Sequence, residues 1–323
     1  MSLSTSSAPV ASLPRDRSGG TAASRRARAR RARARHVRAR LSPWLFLAPA
    51  LAFFVVFKFW PVIWGVYLSF FHVRPYLGNE WLGWANFSRA VQDPDLRAAV
   101  GHTALDAVVS VAGSMLVGFG LALLLESPAR HVRILRTAVF LPAVTAMVAV
   151  AELWGALLFP GRYGAVNSFL GALGIGAQPF LASPHSSLWT VMLIQVWKAA
   201  PYDMVIFIAG LVGIDRQLYE SASIDGANAW QRLRRITIPS LRPITTIVLT
   251  LGIIRGLRVF TEINVLTGGG PGGSTETIVT TTFKAATVSN DTGYASAIST
   301  LLLIATILLT SLTLWWRNRL EAS

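Results

Sequence analysis

Six long apolar stretches constrain this chain more than any other feature of its sequence. They lie near 44–70, 102–125, 136–159, 187–213, 244–266 and 294–316. An α-helix rises about 1.5 Å per residue, so about 20 apolar residues cross the hydrocarbon core of a bilayer. In that core each backbone N–H and C=O needs a partner within the protein, which leaves helices and closed barrels. Barrel strands are short and alternate apolar with polar residues. These stretches do not alternate, so they read as helices. The composition agrees: 53% of the residues are hydrophobic and 14% charged, against about a quarter charged in soluble domains. The expected fold is all-α, a polytopic membrane protein of six transmembrane helices spanning 41–318.

Charge sets the expected orientation, because short cytoplasmic connections carry an excess of Arg and Lys. Residues 1–40 hold eleven arginines and a single acid, Asp16, and supply most of the net charge of +15. The second-to-third connection carries Arg130, Arg133 and Arg136. The fourth-to-fifth carries Arg216, Arg232, Arg234, Arg235 and Arg242, and the C-terminus carries Arg317 and Arg319. The intervening connections mix Arg74, Arg89, Arg97, Arg162 and Lys284 with acids. Both termini and the 214–243 loop are therefore expected in the cytoplasm of a multi-pass cell-membrane protein, with 319–323 as a short cytoplasmic end. The Ser/Ala/Gly-rich, Arg-rich tail 1–40 has nothing to form a core and reads as disordered. A topology anchor is its simplest role; anionic lipid or nonspecific nucleic acid would also be attracted to it. We expect lipid as a partner and no specific nucleic acid. Tryptophans such as Trp44, Trp60, Trp81, Trp84 and Trp189 fall near span ends, as interfacial residues do.

Several function classes lack their chemistry. The chain has no cysteine, and none of its five histidines has a second at metal-ligand spacing, so no metal site is expected. No Ser/His/Asp set or paired carboxylates present themselves, so the chain is not expected to be an enzyme. A self-contained secondary transporter predicts internal repeats and interrupted helices in both halves, and no convincing repeat is seen. Gly268 to Gly273 followed by Ser274 superficially resembles a phosphate-binding loop, but the lysine before the serine and the preceding strand are missing. It reads as a flexible external turn.

The 214–243 connection is unusually orderly. From Leu218 to Pro239 it reads as two short amphipathic helices hinged at Gly226, with Asp225 placed to cap the second. Ala227, Trp230 and Leu233 share a face. Pro239 marks the return to the membrane, and Pro243 suits the first turn of the fifth span. Small residues at a bend allow another backbone to come close. A solvated loop lying on the membrane is the other reading.

Glu220-Ser221-Ala222, Gly226, and Ile236-Thr237-Ile238-Pro239 resemble the "EAA" loop of binding-protein-dependent ABC transporter permeases, with Ser221 for Ala and Ile238 for Leu. Ile224-Asp225-Gly226-Ala227 matches the carbohydrate branch. Phe260 to Thr275 is similar to the end of span five in maltose- and glycerol-phosphate-type permeases, in the larger-type partner of each pair. Tyr163-Gly164-Ala165-Val166-Asn167 and Leu141-Pro142 are weaker echoes.

The resemblance implies the type I importer permease fold and a non-catalytic subunit of a transport ATPase complex. It implies a second permease as heterodimeric partner, two ATP-binding subunits and an external solute-binding protein. ATP and Mg would be used by the ATPase subunits, with no cofactor bound by this chain. Glu220, Ser221, Ala222, Asp225, Gly226, Ala227, Ile236 and Pro239 would form the ATPase-coupling loop. The solute would be a sugar, oligosaccharide or polyol-phosphate-like molecule.

Ionisable and amide groups inside spans are functional candidates by default. They are Lys58, Asp106, Glu152, Gln195, Lys198, Asp203, Arg255, Arg258, Glu262 and Asn264. Glu152, Gln195, Lys198, Arg258, Glu262 and Asn264 are expected to line the substrate pathway. Arg258 and Glu262, four residues apart, are placed to pair along one helix. Pro61, Pro142 and Pro201 are placed to kink theirs.

Overall fold

The computed structural model describes residues 44, 46–74 and 76–321, so the tail 1–40 lies outside the described residues. The chain divides into two compact units, 1–63 and 64–323. Within the described residues the first unit holds most of one apolar helix, α1 (Phe46–Leu68). The second unit opens on a short hairpin, β1 (Phe71–His72) and β2 (Glu80–Trp81), with Phe71 opposite Trp81. Helix α2 (Ala85–Gln92) leads into α3 (Pro94–Leu125). Then follow α4 (Arg130–Val144), α5 (Met147–Leu157), α6 (Ala165–Ala172) and α7 (Ser187–Val212). The loop helices are α8 (Arg216–Ile224) and α9 (Ala229–Ser240). Beyond them lie α10 (Arg242–Leu257), α11 (Thr261–Leu266), α12 (Ile278–Thr287) and α13 (Thr292–Glu321).

Four helices are long and apolar enough to span a bilayer, α1, α3, α7 and α13, and two bent pairs bring the number up to six. The third span is α4 plus α5, bent by 95°, and the fifth is α9 plus α10, bent by 64°. The first bend falls inside the stretch 136–159, just after Pro142, one of the prolines placed to kink a helix, and the second falls at Leu241, before the stretch 244–266 begins. At the first break Pro142 cannot donate, and Thr145 and Ala146 go extended. The freed carbonyls are taken by Lys198, whose Nζ donates to Pro142 O at 3.0 Å and Thr145 O at 2.7 Å. The end expected at Leu266 is also broken: α10 stops at Leu257, and α11 restarts at Thr261.

Helices α3 and α7 pack along each other. Ser110, Ser114, Gly118 and Ala122 recur every fourth residue on α3 and are all buried. A stripe of small residues lets two helices approach in lipid, where packing rather than water exclusion drives association. One core cluster joins Ala122 and Leu125 to Met204, Phe207, Leu211, Leu241 and Val248. Many large apolar side chains are exposed, Leu116, Val205 and Leu308 among them, as a lipid-facing surface requires.

Proline is handled differently at two other sites. Pro61 and Pro239 sit inside continuous helix, each two residues after a widened turn, Val55–Phe59 and Leu233–Thr237. A proline ring crowds the carbonyl four residues back, and an i→i+5 turn moves that carbonyl aside. The helix expected to end at Pro239 thus runs on to Ser240.

Candidate functional site: a cavity among the spans and the 214–243 loop

Two regions gather the residues singled out by sequence. The first is a cavity of about 380 Å³. One helical stripe of α7, Gln195, Lys198, Ala199 and Tyr202, forms one wall, and Leu251 and Arg255 of α10 form another. Ser110, Ala143, Val259 and Glu262 complete it. Three of the six expected pathway residues, Gln195, Lys198 and Glu262, thus meet in one place. Glu152, Arg258 and Asn264 are exposed elsewhere and do not line it. The expected Arg258–Glu262 pair is not formed: the two lie on either side of the α10–α11 break, and no ion pair joins them among the described residues.

Most of the cavity's polar groups are held from behind. Gln195 Nε2 donates to Asp106 Oδ1 at 3.0 Å, and the fully buried Asp106 keeps its other oxygen without a partner. Arg255 Nη2 donates to both oxygens of Asp203 and to Ser114 Oγ, each at 3.3 Å. Asp203 is 2% exposed and Arg255 38%, so the guanidinium stands at the wall with its carboxylate behind it. These residues are 52 positions apart, and no local pattern announces the pair. Tyr202 and Ser110, also on the wall, carry no sequence signal beyond helical spacing.

The second region is the loop. Asp215 caps α8 by accepting from Gln217 N at 2.9 Å. The helix ends on Gly226, whose φ of +76° is the left-handed conformation that glycine adopts without a Cβ penalty. Ala227 N donates to Ala222 O at 2.9 Å and Gly226 N to Ser223 O at 3.2 Å. That is the paired 6→1 and 5→2 pattern of a Schellman stop, in which the side chains at the Ala222 and Ala227 positions meet. Both are half-buried. The second helix is capped by Asn228 rather than Asp225. Asn228 Oδ1 accepts from Gln231 N, and Gln231 Oε1 accepts from Asn228 N, both at 2.9 Å. Gly226 and Ala227 place Asp225 too early, at the end of α8.

Tyr219 and Thr237 hydroxyls share a hydrogen bond of 2.8 Å, and Arg232 Nη1 donates to Ser223 Oγ at 3.0 Å, bracing the two loop helices. Glu220, Ser221, Asp225 and Gly226 face out, while Ile236 and Pro239 are half-buried. Ile224 and Trp230 are apolar yet 87% and 66% exposed.

The glycine-rich segment is not the free turn expected. Thr275 and Thr277 are fully buried. Thr267 and Thr275 hydroxyls pair at 2.7 Å, Thr277 Oγ1 donates to Val259 O at 3.3 Å, and Ser274 meets Ser187 at 2.9 Å. Its threonines supply the partners that its irregular backbone lacks. Asn167, in the weaker echo, is likewise structural: it exchanges bonds with Gln178 backbone N and O at 2.8 and 2.9 Å.

Residues 114–323 match the model of the binding-protein-dependent transport system inner membrane component family. The chain belongs to that family. This permease is 31% identical over 280 residues to a probable ABC transporter permease of Pyrococcus horikoshii, covering 86% of this chain and 96% of that one. It is 32% identical over 259 residues to the trehalose/maltose transport system permease MalF of Thermococcus litoralis, covering 80% and 87%. A crystal structure of a bacterial transporter that imports the acidic polysaccharide alginate contains a chain of the same fold, at TM-score 0.79 and 24% identity, covering 89% and 99%. The permease is a membrane-spanning subunit of a binding-protein-dependent importer.

Proposed function

We propose that this permease forms, with a second permease, the pathway for a sugar or similar polyol, and that the 214–243 loop couples it to two ATPase subunits in the cytoplasm. An external solute-binding protein would deliver the solute, and both termini would face the cytoplasm. The sugar reading rests on the resemblance of 260–275 and on the trehalose/maltose relative. The cavity supports it: it offers an acceptor in Glu262, a donor in Arg255 and a ring in Tyr202, the kinds of group that hold hydroxyl-rich molecules in mostly apolar pockets.

One observation carries the coupling role. The loop is a self-braced module that leaves Glu220, Ser221 and Asp225 in solvent and presents Ile224 and Trp230 uncovered. Exposed apolar anchors rimmed by polar residues mark a protein-docking face. ATP-driven closure would pull two such loops together and reorient the spans, a rigid-body form of alternating access. ATP and Mg would act in the partner subunits.

The test is co-purification. The wild-type permease is expected to bring an ATPase subunit with it, and Gly226→Asp to lose it. Solute uptake by this chain alone in proteoliposomes would overturn the reading.

A further inference from the structure

A groove of about 440 Å³ lies at the root of the loop, where α3 and α7 end. Its floor is apolar: Leu123, Leu211, Val212 and Ile214. Its rim carries Arg216, Arg232, Tyr219 and Ser127, with Glu126 as the sole acid among the lining residues. We propose that this groove binds an anionic phospholipid, the headgroup on Arg216 and Arg232 and an acyl chain along the floor.

Two features choose this occupant. The first is continuity with the lipid-facing surface. Val212 is 74% exposed, and exposed Val205 lies seven residues before it on α7; Leu116, also exposed, lies seven before Leu123 on α3. Seven residues are two turns, about 10 Å of apolar wall rising from the groove into the bilayer. A soluble anion would leave that wall bare.

The second is charge. Neither Arg216 nor Arg232 forms an ion pair with Glu126 or any other acid among the described residues. Arg232 uses one guanidinium nitrogen on Ser223, which leaves the other nitrogens for a phosphate. Arg234, Arg235 and Arg242 add positive charge to the same loop. A basic pocket between span ends at the membrane surface matches a lipid phosphate, and the forked guanidinium suits its oxygens. The inference needs the loop to lie at the membrane surface but not to dock an ATPase.

The chain's lack of cysteine allows a single reporter at Ser127→Cys on the groove rim. The assembled importer, labelled there with a fluorophore, is reconstituted in phosphatidylcholine nanodiscs. Quenching by doxyl-labelled phosphatidylglycerol is then compared with quenching by doxyl-labelled phosphatidylcholine. Preferential quenching by phosphatidylglycerol is expected, surviving excess inorganic phosphate and weakened about thirtyfold in Arg216→Gln/Arg232→Gln. Equal quenching by the two lipids overturns the proposal. So does abolition by inorganic phosphate, which would make the site one for a free anion. Quenching seen only after the ATPase subunits are stripped away would assign the groove to a protein contact instead, and would overturn it too. These outcomes are read on the wild-type sequence at both arginines, so a double variant that failed to assemble would not shelter the proposal. ATPase co-purification, scored separately, keeps this result distinct from the fate of the coupling reading.

Discussion

The two ends of the 64–323 unit are held together in different ways. At the end away from the loop, bonds join residues far apart in sequence. Arg89 Nη1 meets Asp291 Oδ2 at 2.6 Å across 202 positions, and its guanidinium lies 4.0 Å from the centre of the Tyr294 ring. The Tyr294 hydroxyl donates to Asp93. His102 Nδ1 donates to Glu276 O at 3.0 Å, and Ile278 N to Thr103 Oγ1 at 3.0 Å. The 214–243 loop, by contrast, is fastened to itself: its longest side-chain bond, Tyr219 to Thr237, spans 18 positions. The far end is a clamp that ties α2, α3, α12 and α13 into one block. The loop keeps its own shape and is rooted in α7 and α10. The coupling role proposed above would need that arrangement, an arm of fixed shape mounted on a body tied together at its other end.

The sharpest way to break this contrast is a pair of glycines. A Cβ on Gly293 would lie 2.0 Å from Phe71 O and 3.3 Å from Asn86 Nδ2, inside the clamp. Asn86 is itself buried there, donating to Ser69 O and Phe71 O at 2.9 and 3.0 Å. Gly293→Ala must therefore push the Phe71 backbone away from α13, and it is expected to lose most of the folded protein. Monodisperse yield on size exclusion in detergent measures this. Gly226 meets nothing within 4 Å, so a side chain there costs about 1–2 kcal/mol of left-handed strain and no clash. Gly226→Asp should leave the spans folded and remove only coupling. Equal loss of fold in both variants would refute the division into clamp and module.

Legibility in the sequence follows the same contrast. The spans could be read because apolar length is a local property, and the loop because capping and Gly226 act over a few residues. From the sequence either Asp225 or Asn228 suits the cap of the second helix, and only the Schellman geometry decides for Asn228, three residues on. What stayed hidden was the long-range pairing. Nothing in the run around Asp203 points to Arg255, or in Lys198 to the carbonyls of a bend that forms 53 positions earlier. The glycine-rich segment misled for a related reason: glycines advertise freedom, while the threonines that remove it lie outside the run.

The Arg255–Asp203 pair sits between the two regimes, long-range yet open to the cavity, and its asymmetry can be measured. Arg255→Met leaves a 2%-exposed carboxylate without its cation, which costs about 3–5 kcal/mol. Asp203→Asn leaves a guanidinium that can turn into the cavity and be hydrated, a loss nearer 1–3 kcal/mol. Thermal unfolding of the detergent-solubilised complex should therefore rank Arg255→Met below Asp203→Asn, with Arg255→Met/Asp203→Leu recovering part of the difference. The reverse ranking would mean that the arginine, not the aspartate, is the buried partner.

The smallest effect tests the clamp by pH. Burial opposes ionisation of Asp93, but the Tyr294 hydroxyl, the N–H groups of Leu96 and Asp95 and the nearby Arg89 outweigh it and hold the carboxyl below its ordinary 3.8. The folded protein thus releases this proton more readily than the unfolded chain does. The resulting stability is fully present above about pH 4 and is lost as pH falls through the lower folded value. Asparagine caps a helix about as well as aspartate, so Asp93→Asn should keep α3 started while flattening this acid-side loss, whereas Asp93→Ala should cost about 1 kcal/mol at neutral pH as well. Denaturant midpoints at neutral pH and near pH 3 separate the two variants. An unchanged acid-side slope in Asp93→Asn would place the titrating group elsewhere, and among the ion pairs the clamp would then rest on the Arg89–Asp291 bridge between α2 and the start of α13.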